Sequence, residues 1–233
     1  MLFRSHAVAE ECTGFGNGTL VAPGAFLSYG MLNQVADFQR MVAHQEIAFD
    51  PASTLFFIAG GLNDGSVPTA TTLANITSQF QTLYGTGGRN FQLALLPTMI
   101  PAFSAVGTRL NPAYQSLLPQ LQTMFPDAKI SLSNWGPDFD QVITHPATYG
   151  LTNTTDQCAG REIFGEYGAP CATPSTYFYY HGAHPSTAVH NIVGDMLYQD
   201  ILTAAVPEPG TDAMMLAGVG LLALAMRRKR LAG

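Results

Sequence analysis

Charge is scarce in this sequence. Only 11% of its 233 residues are charged, and just ten are Lys or Arg. Four of those ten stand in one run near the end, Arg227-Arg228-Lys229-Arg230. Two acids, Glu208 and Asp212, accompany them, which leaves six basic and fourteen acidic groups in residues 1–205. A body this acidic offers no Lys/Arg surface to phosphates, so nucleic acid is excluded as a partner. A glycine-rich phosphate loop is also missing: Gly85-Thr86-Gly87-Gly88 has neither the lysine nor the preceding strand. Cysteine is limited to three residues, Cys12, Cys158 and Cys171. No secretory leader is visible, because Met1-Leu2-Phe3-Arg4-Ser5-His6 does not open into an apolar run of about 7–15 residues. No internal repeat appears. What is abundant is apolar surface, at 47% of residues, which excludes a disordered chain and suffices for the core of one domain.

The basic run has a context. Residues 206–230 read VPEPGTDAMMLAGVGLLALAMRRKR, so the apolar stretch Ala213–Met226 meets four cations directly. That stretch is shorter than the ~20 residues of an ordinary membrane span. Its cations suit the cytoplasmic side. The segment resembles the PEP-CTERM sorting signal of Gram-negative bacteria, with Pro207-Glu208-Pro209 as the motif. The resemblance implies export to the cell envelope or beyond, transient anchoring in the inner membrane by residues 213–226, and cleavage by an exosortase. Residues 206–233 are then an address, and residues 1–205 hold the fold. An export address without a leader is inconsistent, so the chain is expected to begin inside a longer protein.

The body alternates helical and strand patterns. Helical spacing of Leu32, Val35, Phe38, Met41 and Val42 predicts a helix over Tyr29–Gln45. Thr54–Ala59 predicts a buried strand and Thr69–Tyr84 a helix. Phe91–Leu96 is a second strand, Asn111–Met124 a helix, and Lys129–Leu132 a third strand. Residues 146–175 read as loop, and Pro185–Thr203 as a closing helix opened by Pro185. This alternation predicts an α/β fold with a mainly parallel sheet, whose ligands bind at the carboxyl ends of the strands.

Two groups of residues stand at such ends. Gly60-Gly61-Leu62-Asn63-Asp64 follows the first strand. A side-chain amide there can donate to a developing oxyanion, as Asn63 would, although Asn-Asp is also an ordinary turn pair. His181-Gly182-Ala183-His184-Pro185-Ser186 follows the aromatic run Tyr177–Tyr180, which reads as a buried strand. His184, just before the last helix, can serve as a general base, although loop histidines are common.

Taken together and in this order, these groups resemble the GDSL, or SGNH, esterases and lipases, from about Gly24 to Ile201. Gly61-Leu62-Asn63-Asp64 stands for the family's GxND motif. Phe178–Ser186, with His190 after it, stands for its closing histidine block. Leu95-Leu96-Pro97-Thr98 and His145–Asn153 resemble two interior segments. The resemblance implies a flavodoxin-like three-layer α/β/α fold and hydrolysis of carboxylic esters through an acyl-enzyme, without cofactor or metal. It makes His184 the base, Asn63 an oxyanion donor and Gly24 a second, weaker match for that role. It also implies a Cys158–Cys171 disulfide, consistent with an oxidising compartment, with Cys12 left unpaired or its partner expected upstream.

Two departures stand out. Gly-Asp-Ser occurs nowhere, and no serine follows a glycine by two residues, so a G-x-S-x-G elbow is absent too. Asp64-Gly65-Ser66 has the wrong order. In addition, the family's orienting aspartate is replaced by His181, which supplies no negative charge. The expectation is a GDSL esterase that lacks its first strand and nucleophile, inactive as these 233 residues. The alternative is an exported, non-catalytic binding protein on the same fold. A metal site built from His181, His184, His190 and Asp195 fits no common zinc spacing. Which ester is the substrate (lipid, polysaccharide acetyl or small ester) is not written in the motifs.

Overall fold

The computed structural model describes residues 13–14, 19–22, 25–27, 30–160 and 169–205. The chain divides into two compact units, Met1–Gly194 and Asp195–Gly233. In the first unit, a short antiparallel pair, β1 (Thr19–Ala22) and β2 (Ala25–Leu27), precedes helix α1 (Met31–Ala43). Strand β3 (Leu55–Ile58), helix α2 (Thr69–Gly85), strand β4 (Asn90–Ala94), helix α3 (Ser104–Met124) and strand β5 (Lys129–Ser133) follow. The three strands form a parallel sheet in the order β3-β4-β5. This is the α/β alternation expected from the sequence, and helical crossovers are what parallel neighbours require.

One face of this sheet carries the core. Phe56, Ile58, Phe91, Leu93 and Ile130 lie buried with Phe38 of α1, Ile76 and Phe80 of α2, and Leu110, Tyr114 and Leu121 of α3. Phe56 stacks on Phe91 at 5.5 Å between ring centroids, and Phe91 meets Phe80 at 5.2 Å. Each such ring contributes about 2–3 kcal/mol through burial. The alternate residues of β3 face the other way and stay open, Leu55 at 37% and Phe57 at 40% exposure. Parallel strands are ordinarily covered on both faces, and β3 is an edge of this sheet.

The second half of the unit holds helix α4 (Trp135–Thr144), strand β6 (Asn153–Gln157), strand β7 (Tyr177–His181), the two-residue strand β8 (His184–Pro185) and the start of helix α5 (Thr187–Ala205). β6 pairs parallel with β7, and β7 antiparallel with β8.

Four sequence expectations need correction. Helix α3 starts at Ser104, not Asn111. Pro112 looks like an opening residue, yet Pro112 and Pro119 both lie inside the helix. Each leaves one carbonyl without its usual donor. The helix persists because Leu110, Tyr114, Leu117 and Leu121 bury one continuous stripe. Helix α4 lies where the sequence reading assigns no element. Here Pro137 occupies the first turn, where no N–H is needed, and Gly136 allows close approach. A β-carbon on Gly136 would come within 2.1 Å of the Leu96 carbonyl carbon. The supposed loop 146–175 contains β6, whose sequence NTTDQ has no apolar alternation to reveal it. Finally, α5 begins at Thr187, and Pro185 belongs to β8. The cap is Ser186, whose hydroxyl accepts the Val189 N–H at 3.4 Å.

Candidate active site

The turn after β3 is built around two glycines and a tyrosine. The Tyr114 hydroxyl donates to the Gly60 carbonyl at 2.9 Å. Burial first, and the nearby Asp64 charge second, raise the Tyr114 pKa well above the ordinary tyrosine value, so it remains a donor. Gly61 has φ +108°, and a β-carbon there would stand 2.4 Å from the Tyr114 hydroxyl. Only glycine fits. The Asp64 N–H closes the turn on the Gly61 carbonyl at 3.0 Å. Asn63 is exposed at its tip, while Asp64 next to it is fully buried. The two polar residues of the GxND group thus face opposite ways, one toward solvent and one toward the core.

Asp64 is tied in on every side. Its side-chain oxygens accept the Thr13 N–H at 3.0 Å, the Thr13 hydroxyl at 2.5 Å and the Thr72 hydroxyl at 2.7 Å. Its carbonyl accepts Arg109 Nη2 at 2.7 Å, and the same guanidinium reaches the Val67 carbonyl and the Thr69 hydroxyl. Sequence reasoning missed Thr13, Thr72 and Arg109. No motif marks them: Thr13 and Arg109 bond partners 40 or more residues away, and Thr72 reaches Asp64 from an ordinary helical position.

The loop after β4 borders the same end of the sheet. The Asn111 side chain bonds both the N–H and the carbonyl of Leu96, at 2.8 and 2.9 Å. The Asp140 carboxyl accepts the Thr98 N–H, the Thr98 hydroxyl and the Met99 N–H. The Leu95–Thr98 segment is therefore clamped from α3 on one side and α4 on the other.

The histidine end is a tight hairpin. His181 pairs with His184 across Gly182-Ala183, and Gly182 takes φ +48°. His184 is exposed, and its Nδ1 lies 3.3 Å from the His181 carbonyl oxygen. With Nδ1–H donating there, Nε2 is left to accept a proton. The residue standing where the family has aspartate thus contributes a backbone carbonyl to His184, which orients without supplying charge. One turn on, His190 meets Phe139 edge-on at 5.7 Å. Burial, and then the His184 charge, lower the His190 pKa. Phe139 belongs to α4, which leaves the carboxyl end of β5, so this contact ties the start of α5 to that end of the sheet.

Cys158 and Cys171 are joined as a disulfide, and the Cys171 N–H donates to the Cys158 carbonyl at 2.7 Å. The Cys158 N–H in turn donates to Tyr179 of β7. Gly24, Cys12 and the apolar stretch 213–226 lie outside the described residues. Among the described residues, no helix is long and apolar enough to cross a membrane, and no three His, Cys, Asp or Glu side chains gather as a metal would need.

Comparison with known proteins gives two results. Residues 205–230 match the PEP-CTERM protein-sorting motif. The body is similar to plant proteins named GDSL esterase/lipase. One from Arabidopsis thaliana is 26% identical over 199 residues, covering 69% of this chain and 52% of its own length. A second from the same plant is 30% identical over 145 residues, covering 52% of this chain and 40% of its own. A third is 30% identical over 103 residues, 40% of this chain and 27% of its own. The chain thus spans between about a quarter and a half of the length of these relatives. Its α/β body is thus similar to part of the GDSL esterase/lipase proteins, and residues 205–230 carry a PEP-CTERM sorting motif.

Proposed function

We propose that the protein is an exported carboxylic-ester hydrolase of the GDSL type, with Asn63 as oxyanion donor and His184 as general base. The observation that carries this reading is the display of Asn63. A buried carboxyl, a buried tyrosine and two glycines fix a turn at the carboxyl end of β3, and the exposed residue between Leu62 and Asp64 is an amide. The His184 contact to the His181 carbonyl supports the base role, since it leaves Nε2 facing outward as an acceptor. In the reaction, a serine would attack the ester carbonyl while His184 takes its proton. The oxyanion would be held by the Asn63 amide and, by family analogy, the Gly24 N–H. His184 would hand the proton to the departing alcohol as the ester C–O bond breaks, leaving an acyl-serine. Water, giving a proton to His184, would then attack the acyl carbon, and His184 would return that proton to the serine as the acid leaves.

The nucleophile is not among these residues, because Gly-Asp-Ser is absent. Among the described residues β3 has no partner on its outer edge, which leaves room for a further strand there, and we assign the serine to such a strand. The sorting motif supports recognition by an exosortase and export to the Gram-negative envelope. Residues 213–226 would hold the protein in the inner membrane until cleavage, and residues 1–205 would be the folded body released. Substrates are esters, whether of lipids, acetylated polysaccharides or small acids.

The test is to read the gene upstream and express the longer product. An in-frame Gly-Asp-Ser is expected, and the longer product should hydrolyse acyl esters and take up a fluorophosphonate. The 233-residue chain should do neither. Without an upstream Gly-Asp-Ser, the non-catalytic binding protein replaces this reading. A fluorophosphonate label on the 233-residue chain would overturn the assignment of the nucleophile.

A further inference from the structure

Thr13 is fully buried although it is a small polar residue. Every polar atom it has is used. Its N–H and hydroxyl donate to Asp64. Its carbonyl accepts Gln79 Nε2 at 2.8 Å, and its hydroxyl oxygen accepts Asn75 Nδ2 at 3.2 Å. The carbonyl of Gly14 next to it accepts the Leu32 N–H at 3.2 Å. A β-carbon on Gly14 would approach Asn75 Nδ2 to 3.2 Å, so a side chain there would crowd this socket. The partners come from α1, from α2 and from the turn after β3, and the α2 and turn partners lie 51 to 66 residues along the chain.

Packing alone does not call for such an arrangement. A buried carboxyl is costly unless donors surround it, and an apolar side chain would fill the space without that cost. What directional bonds add is registry: an apolar contact tolerates sliding, whereas three donors converging on two oxygens do not. The feature registered is the turn that displays Asn63. Asp64 is its neighbour, and the turn's own bonds, Asp64 N–H to Gly61 and Val67 N–H to Asp64, run through the same residue.

We propose that Asp64 and Thr13 form a clasp that positions Asn63. The clasp fastens the chain at residue 13 to the turn that carries the candidate oxyanion donor. Asp64 is a positioning residue and does not touch the reacting atoms. The inference rests on Asn63 being the donor only for its functional meaning; the clasp itself is tested separately.

Amide hydrogen exchange on the full 233-residue chain provides the test. Thr13→Val keeps the volume and removes the hydroxyl, and Thr13→Ser keeps the hydroxyl. In Thr13→Val, and in Asp64→Ala where it folds, exchange at residues 64 and 67 is expected to speed at least tenfold. Amides of β4 and of the buried stripe of α3 should keep their rates, and Thr13→Ser should behave as the parent. Unchanged exchange at 64 and 67 in Thr13→Val overturns the clasp. So does an equal acceleration in β4 and α3, because that would be a general loss of stability. The catalytic reading fails by a different result. If Asn63→Ala in the longer, serine-bearing product keeps full ester turnover, Asn63 is not the donor, and the exchange result stands regardless.

Discussion

The two ends of the candidate site are built in opposite ways. At the asparagine end, Asn63 is exposed but everything beneath it is buried: Asp64, Thr13 and Tyr114 are all fully inaccessible. At the histidine end, His184 is exposed and rests on one contact to a backbone carbonyl three residues away. The first end borrows rigidity from residues remote in sequence. The second obtains it from a hairpin only four residues long, supported by a disulfide behind β7. A long-range network fails when any one of several partners is removed. A local hairpin carries its geometry in its backbone and should be indifferent to most side chains.

The largest expected effect therefore lies at the asparagine end, in Gly61→Ala. An L-residue at φ +108° costs about 1–2 kcal/mol by itself. The new β-carbon also displaces the Tyr114 hydroxyl from Gly60, leaving a buried donor unpaired at about 1–3 kcal/mol more. Denaturant titration should show a loss of about 3 kcal/mol or more, with no gain from added salt. A loss under about 1 kcal/mol would mean that the turn relaxes freely, and the contrast between the two ends would collapse.

Next comes the histidine end's single covalent support. Breaking Cys158–Cys171 by a double change to serine releases a loop with a separation of 13 residues. The chain-entropy relation puts the cost at about 3 kcal/mol. The loss should appear in the melting temperature of the oxidised parent against the variant, and should vanish when both are compared under reductant. Among the described residues the loop joins β7 through backbone bonds, from Cys158 to Tyr179 and from Ala159 to Tyr180, so the turn amides at 64 and 67 should be unaffected.

These differences explain what could be read from the sequence. The α/β alternation was legible because Leu32 to Val42, Thr54 to Ala59 and Thr69 to Tyr84 carry clear periods. Asn63 and His184 were legible because each stands in a short local pattern at a strand end. Thr13, Thr72, Arg109, Asn111 and Asp140 were not. They act through hydrogen bonds to partners 8 to 66 residues away, and a lone Thr or Asn leaves no periodic trace. Helix α4 was hidden for a related reason. Gly136 serves contact with Leu96, a tertiary demand that the local Gly-Pro signal conceals.

A smaller effect separates the two ends by pH. His190 has its pKa lowered from the ordinary 6.5, first by desolvation of its ring, which meets Phe139 edge-on, and then by His184. The unfolded chain therefore binds this proton more readily than the folded one. The associated stability is present above the ordinary histidine value and is lost as pH falls through the folded value. The melting temperature should fall modestly on acidification below about pH 6.5. His190→Gln should flatten that slope. An unchanged slope would assign the acid sensitivity elsewhere.

The smallest expected effect is the most discriminating. If His184 is oriented by the His181 carbonyl, the His181 side chain is dispensable for that purpose. His181→Ala should leave neutral His184 protonated at Nδ1, read from its ring nitrogen shifts by NMR. The edge-on contact of the His181 ring with Tyr180 would be lost, so a slight drop in stability is compatible with this outcome. A switch of the proton to Nε2 is not. That switch would show that the imidazole of His181 holds His184 through space, and that the histidine end, like the asparagine end, depends on a side-chain network. A parent protein already protonated at Nε2 would go further, since an Nε2–H imidazole has no outward acceptor with which to take a proton from serine.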